Sequence, residues 1–211
     1  MYILSEDEFH REAEPALRQV FVSDEPFDKP FSPNVTARRI VYPCFEYIEP
    51  PLIDAIVAAA INVGDPGCYL YNLWTRKEDL RHCYIPFSEF SAAYLGTGDI
   101  NDLIGHKLGM IPDSENILYS PTGKWGIIVS HEHHGMLGGV VEFIEDIHRS
   151  IPDLDEQVYN FIEERLRNHD TGTFNTVVLR WLPGLLAHVY GQIKAEEILQ
   201  KIGVKPRYWK K

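Results

Sequence analysis

The sequence predicts an α+β fold: a mainly antiparallel meander sheet flanked by helices, with a helical C-terminal part, in a single globular domain over residues 1–211. Three observations predict it. Segments rich in β-branched and aromatic residues, 68–74, 81–87, 117–119 and 125–129, lie mid-chain and pair off as hairpins across charged or Pro/Gly-containing turns. After Gly139 the period changes, and Val140, Phe143, Ile144, Ile147 and Ile151 recur at helical spacing with Glu142, Glu145 and Asp146 on the other face. Strands in the middle and helices at the end are the pattern of an α+β chain. With 211 residues, 45% of them hydrophobic, the chain can bury one full core.

The elements follow in order. Ser5 with Glu8 forms a capping box, in which each side chain satisfies a free amide at a helix start. That helix directs Phe9, Ala13 and Leu17 inward, and Pro15 is expected to kink or restart it. Residues 24–33 hold three prolines among Phe and Asp and read as an extended, ordered loop without the Gly/Ser character of a flexible linker. Residues 38–48 read as a strand, and 51–63 as a short apolar helix closed by the turn Asp65-Pro66-Gly67. Short helices are expected at 88–94 and at 99–108, the second capped by Asp99. Asp153 and Glu156 are expected to cap a helix whose Val158, Phe161, Ile162 and Leu166 face inward as far as Gly172. Residues 176–202 form a last helical region, expected to break or bend at Pro183-Gly184. No repeat or low-complexity segment interrupts this order.

Charge and cysteine usage narrow the setting. The formal net charge is -11, from 31 acidic and 20 basic residues, which argues against a nucleic-acid partner because phosphate binding draws on clustered Lys and Arg. A basic protein partner fits better. Cys44, Cys68 and Cys83 are odd in number, lie apart and form no CxxC, the usage of a reduced, cytoplasmic chain. The acidic start, Met1 to Glu8, lacks the features of a signal peptide, and the apolar stretches 55–63 and 177–189 are too short or carry Arg180 and Pro183. Neither meets the roughly 20 residues that a bilayer requires, so no membrane association is expected. The tail 201–211 gathers Lys201, Lys205, Arg207, Lys210 and Lys211 around Tyr208 and Trp209 and reads as a solvated end.

Chemistry is concentrated in one place, Ser130-His131-Glu132-His133-His134-Gly135, directly after the strand 125–129. If that strand continues, alternation puts His131 and His133 on one face with Glu132 and His134 on the other. Two imidazoles on one face are half of a zinc or similar divalent transition-metal site, which needs three or four N, O or S ligands. The remaining ligand would come from His82, Cys83, His106, His169 or His188, which spacing cannot rank. In the alternative reading the same segment is the polar rim of a binding surface.

The register His131-x-His133 with Gly138-Gly139 resembles metallo-β-lactamase-like hydrolases, but Gly135 and Met136 stand where that pattern needs Asp and His. The helical His-Glu-x-x-His of zinc peptidases is absent, as are Gly-x-Ser-x-Gly and a phosphate-binding Gly-x-x-x-x-Gly-Lys-Ser/Thr. His82 and Cys83 are adjacent strand residues pointing to opposite faces, a poor base and nucleophile pair. Gly138-Gly139 ahead of a helix could bind an anion, or simply let the chain turn. Tyr69, Tyr71, Trp74, Tyr84, Tyr94, Tyr119 and Trp125 are spread over the sheet; half or more are expected in the core and the rest suit a protein-binding face. Trp125 is expected to be structural, at the head of a buried central strand.

From Ser120-Pro-Thr-Gly-Lys-Trp-Gly126 through Glu132, His133 and Leu137-Gly-Gly139 to Phe143, the chain resembles immunity proteins of bacterial polymorphic toxin systems. The resemblance implies a cytosolic, acidic, non-catalytic protein that occludes the active site of a basic toxin domain, without a cofactor. Two functions are therefore carried forward. In the first, Glu132, His133, His134, Glu142, Glu145 and Asp146 contact a protein partner. In the second, a metal-dependent hydrolase uses His131 and His133 as ligands and Glu132 or His134 as general base.

Overall fold

The computed structural model describes residues 1–44, 48–73, 81–95, 115–170 and 178–204. Among these, seven antiparallel strands form one sheet: β1 (Tyr2–Ile3), β2 (Ala37–Val41), β3 (Gly67–Asn72), β4 (His82–Pro86), β5 (Asn116–Tyr119), β6 (Trp125–Val129) and β7 (Gly135–Gly139). Their spatial order is β1-β4-β3-β5-β6-β7-β2. The hairpins β3-β4 and β5-β6-β7 form the interior of the sheet, and the N-terminal part of the chain supplies both edges. The helices are α1 (Glu6–Glu8), α2 (Glu14–Val20), α3 (Leu52–Asn62), α4 (Phe90–Leu95), α5 (Val141–Ser150), α6 (Gln157–Asp170), α7 (Val178–Tyr190) and α8 (Gln192–Ile202). The α+β architecture is as the sequence predicts, and none of these helices is long and apolar enough to cross a membrane.

Alternation along the strands builds two cores. Ile40, Tyr69, Ile117, Tyr119, Ile128 and Met136 face a layer made by the N-terminal helical segment and α6 to α8. Leu70, Cys83, Leu118, Trp125, Ile127 and Leu137 face α3, α4 and α5. Central strands covered on both sides need apolar side chains at every position, which is why β6 reads Trp-Gly-Ile-Ile-Val and is buried throughout. The three cysteines are free and buried. Burial pushes the thiols of Cys44 and Cys83 up to about 12, so neither offers a thiolate at neutral pH.

The capping box forms as read: Ser5 Oγ accepts the Glu8 amide and the Glu8 carboxylate accepts that of Ser5. Pro15 restarts the helix rather than kinking it. Residues Phe9–Ala13 widen into a π-helical stretch, closed by the Glu14 amide on the Phe9 carbonyl, before α2 begins with Pro15 in its first turn. The loop 24–33 is tied at both ends, Val22 N to Pro30 O at 2.7 Å and Ser32 N to Val20 O at 2.8 Å.

Four expectations need correction. The strand expected over 38–48 stops at Val41, because Pro43 has no N–H to continue a ladder, and Cys44 instead donates to the His133 carbonyl. The last helical region breaks at Gly191, and the helix before it runs unbroken through Pro183-Gly184. Pro183 lies inside α7, which is held together by the burial of Leu182, Leu185 and Leu186, whereas Gly191 takes φ 80°, ψ 157°, a region open essentially to glycine. The helix expected to be capped by Asp153 and Glu156 begins only at Gln157. Gly138 and Gly139 do not form a turn ahead of the helix; they belong to β7 and are paired with β6 and β2. A Cβ on Gly138 would lie 2.5 Å from the Phe31 ring, so glycine is there to admit an aromatic neighbour. The expected helix over 99–108, Trp74, His106, Gly172 and residues 205–211 lie outside the described residues.

Candidate functional site

The hairpin of β5 and β6 has two polar ends. At the first, the turn Ser120-Pro-Thr-Gly-Lys124 packs over Asp65, a buried carboxylate. Asp65 accepts three hydrogen bonds, from Ser120 Oγ at 2.6 Å, Thr122 Oγ1 at 2.9 Å and Trp125 Nε1 at 2.8 Å. Trp125 is fully buried and stacked on Phe143 of α5, ring centroids 5.1 Å apart. Lys124 Nζ caps α3 by donating to the Val63 carbonyl at 2.5 Å. Every polar group in this knot has a mate, and most of the residues that carry the immunity-protein resemblance turn out to be packing residues.

At the second end lie Ser130 to His134. The strand does not continue here, so the expected common face for His131 and His133 does not exist. Ser130 N donates to the His134 carbonyl at 2.9 Å, His133 N to the Ser130 carbonyl at 3.1 Å and Glu132 N to Ser130 Oγ at 3.1 Å. These bonds close a tight turn between β6 and β7, of the kind a serine hydroxyl promotes. His133 takes φ 62°, a left-handed conformation that histidine tolerates better than most side chains.

The side chains then part company. His131, 55% exposed, hydrogen-bonds through Nδ1 to the buried Glu115. His133 is exposed. Glu132, 21% exposed, is gripped by Arg165 of α6, which is 2% exposed and donates to both the Glu132 carboxylate and its carbonyl. Arg165 also lies over the Phe161 ring, 5.3 Å from its centroid. His131 Nε2 is 3.8 Å from the other Glu132 oxygen, so Glu115, His131, Glu132 and Arg165 form one chain of polar contacts from the sheet to α6.

His134 is the exception. It is fully buried, boxed by Phe161 at 4.7 Å, Phe27 at 5.6 Å and Trp181 at 6.0 Å between ring centroids. Among the described residues neither ring nitrogen has a hydrogen-bond partner. Burial, with Arg165 beside it, pushes its pKa down to about 3; the carbonyls of Glu132 and Pro26 act against that shift without forming bonds of good geometry. His134 is therefore neutral and cannot contact a partner in this fold, which removes it from the expected binding rim. As a general base it would have to act from inside the core.

The other proposed residues lie elsewhere. Glu142 and Glu145 are exposed on α5, and Asp146 accepts from Asn62 of α3 at 2.8 Å and from Arg149. Helix α5 packs on one face of the sheet and α6 on the other, so these acids and Glu132 do not form one patch. Of the further ligand candidates, His82 is stacked on Phe9 at 3.5 Å and Cys83 is buried on the opposite face. His188 Nε2 accepts the Phe31 amide at 3.1 Å. The side chain of His169 lies outside the described residues. Among the described residues no group of three or more His, Cys, Asp or Glu side chains is placed to hold a metal ion.

Sequence reasoning missed Arg165, although the signal was present: it shares the inward helical stripe of Val158, Phe161 and Ile162. Glu115 and Asp65 carried no local signal, since their partners are 16 and 55 to 60 residues away. Comparison with protein-family models, with curated proteins and with solved structures yields no match.

Proposed function

We propose that this chain is a non-catalytic acidic binding protein, of the immunity type, that neutralises a basic toxin domain by covering its active site. The observation that supports this reading best is the turn His131-Glu132-His133. It presents two exposed imidazoles and a carboxylate on a support fixed by backbone bonds and by Arg165. A pre-ordered polar projection loses little freedom when a partner docks. The net charge of -11 steers a basic partner toward the molecule, with Glu142 and Glu145 contributing at a distance from the turn. The resemblance to immunity proteins rests largely on the Asp65 knot, and is a likeness in what holds the fold rather than in what meets the partner. A hydrolase built on the same residues draws no support from this arrangement, because His131 is bonded to Glu115, Glu132 to Arg165, and His134 is buried.

Co-expression with the protein encoded next to this chain tests the proposal. The neighbour alone should be toxic, the pair harmless, and the two should co-purify at low salt. A harmless neighbour that forms no complex overturns it.

A further inference from the structure

Two clefts, of about 370 and 390 Å³, open beside the edge strand β2 and share a wall, the ion pair of Arg39 with Asp155. Each is within the size range of small-molecule sites. Arg39 is fixed in place, its Nη1 donating to the Arg38 carbonyl at 2.8 Å. In the first cleft the Tyr190 hydroxyl accepts the Ile40 amide at 3.0 Å, and among the described residues its own proton has no acceptor. Lys194 of α8 stands at the same cleft. In the second, His148 Nε2 lies 3.6 Å from Asp155 Oδ2. The half-exposed carboxylate of Asp155, on the turn before α6, thus sits between a guanidinium and an imidazole where two clefts meet, with Glu156 lining the first cleft and Glu145 the second.

An exposed ion pair of this kind contributes little to stability, so another anion can replace its carboxylate at small cost. We propose that the double cleft binds a small anionic ligand, a carboxylate or phosphate ester with an aromatic or apolar body. Its anionic oxygens take the place of Asp155 on Arg39 and accept the free proton of Tyr190, while its body lies on the wall of Val158, Tyr159 and Ile198. This site is separate from the His131 turn and does not depend on the partner-binding proposal.

The test is a titration of the 15N-labelled full chain with phenyl phosphate, phenylacetate and inorganic phosphate, followed at the Ile40 amide and the Arg39 Nε–H. Both phenyl anions should shift these signals to saturation, the tighter of the two identifying the ligand's acid group. Inorganic phosphate should bind about tenfold more weakly for want of an apolar body. Removing the internal competitor with Asp155→Asn should tighten both phenyl anions about fivefold, and Tyr190→Phe should weaken them about threefold. Signals unmoved by all three anions, or an Asp155→Asn affinity equal to wild type, overturn the site. Equal affinity for inorganic and phenyl phosphate overturns the role of the apolar wall.

Discussion

The two ends of the β5-β6 hairpin solve the same problem, polar side chains at the rim of a buried strand, in opposite ways. At the Asp65 end one carboxylate is matched by three neutral donors and the indole is sealed against α5. At the His131 end the groups are charged or chargeable, two of them face solvent, and His134 is buried with no hydrogen-bond partner among the described residues. The first arrangement maximises stability, since unpaired buried polar groups are expensive and paired ones are not. The second gives up some stability and leaves two imidazoles exposed at the surface.

The contrast can be broken most severely at Trp125. Trp125→Ala should destabilise the protein by about 3–5 kcal/mol in urea unfolding, and a variant that unfolds like wild type would place the anchor elsewhere. Asp65→Asn should cost about 2 kcal/mol, because the amide turns a donor toward groups that need an acceptor.

At the other end the effect is read against pH. The His134 pKa is pushed down to about 3 and those of His82 and His188 to about 4, in each case chiefly by burial. Below the ordinary histidine value of about 6.5 the unfolded chain binds protons that the folded one refuses, so stability is full above that value and falls as pH drops toward the folded values. Between pH 6.5 and 5 one such histidine removes at most about 2 kcal/mol. His134→Phe should leave stability at pH 7 unchanged or slightly raised and make the acid slope shallower. An unchanged slope would mean that His134 is not the buried neutral ring described above. Smallest in stability is the pair Glu142→Lys and Glu145→Lys, expected within about 0.5 kcal/mol of wild type. Its signature is kinetic: association with a basic partner at low salt should slow several-fold while dissociation changes little.

The same contrast separates what could be read from the sequence. The interior strands and the buried Trp125 were legible because an apolar run such as Trp125–Val129 carries its own signal. Strand β7 was not, since Gly135-Met-Leu-Gly-Gly139 has poor strand propensity and is a strand only because Phe31, Val41 and Phe143 need the space that its glycines leave. The histidine segment was oriented wrongly: alternation assumed that β6 runs past Val129, whereas the Ser130 hydroxyl and the left-handed His133 turn the chain at once. The partners that define each end, Asp65, Glu115 and Arg165, are distant in sequence, and only Arg165 left a trace, as a charge on an apolar stripe.

Amide hydrogen exchange on this chain, free and mixed with the partner proposed above, tests the division of labour most directly. Residues 130–134 should gain protection on binding, while residues 120–125, already locked onto Asp65, should exchange as in the free chain. Protection at 120–125 with none at 130–134, or no complex at all, would contradict the account.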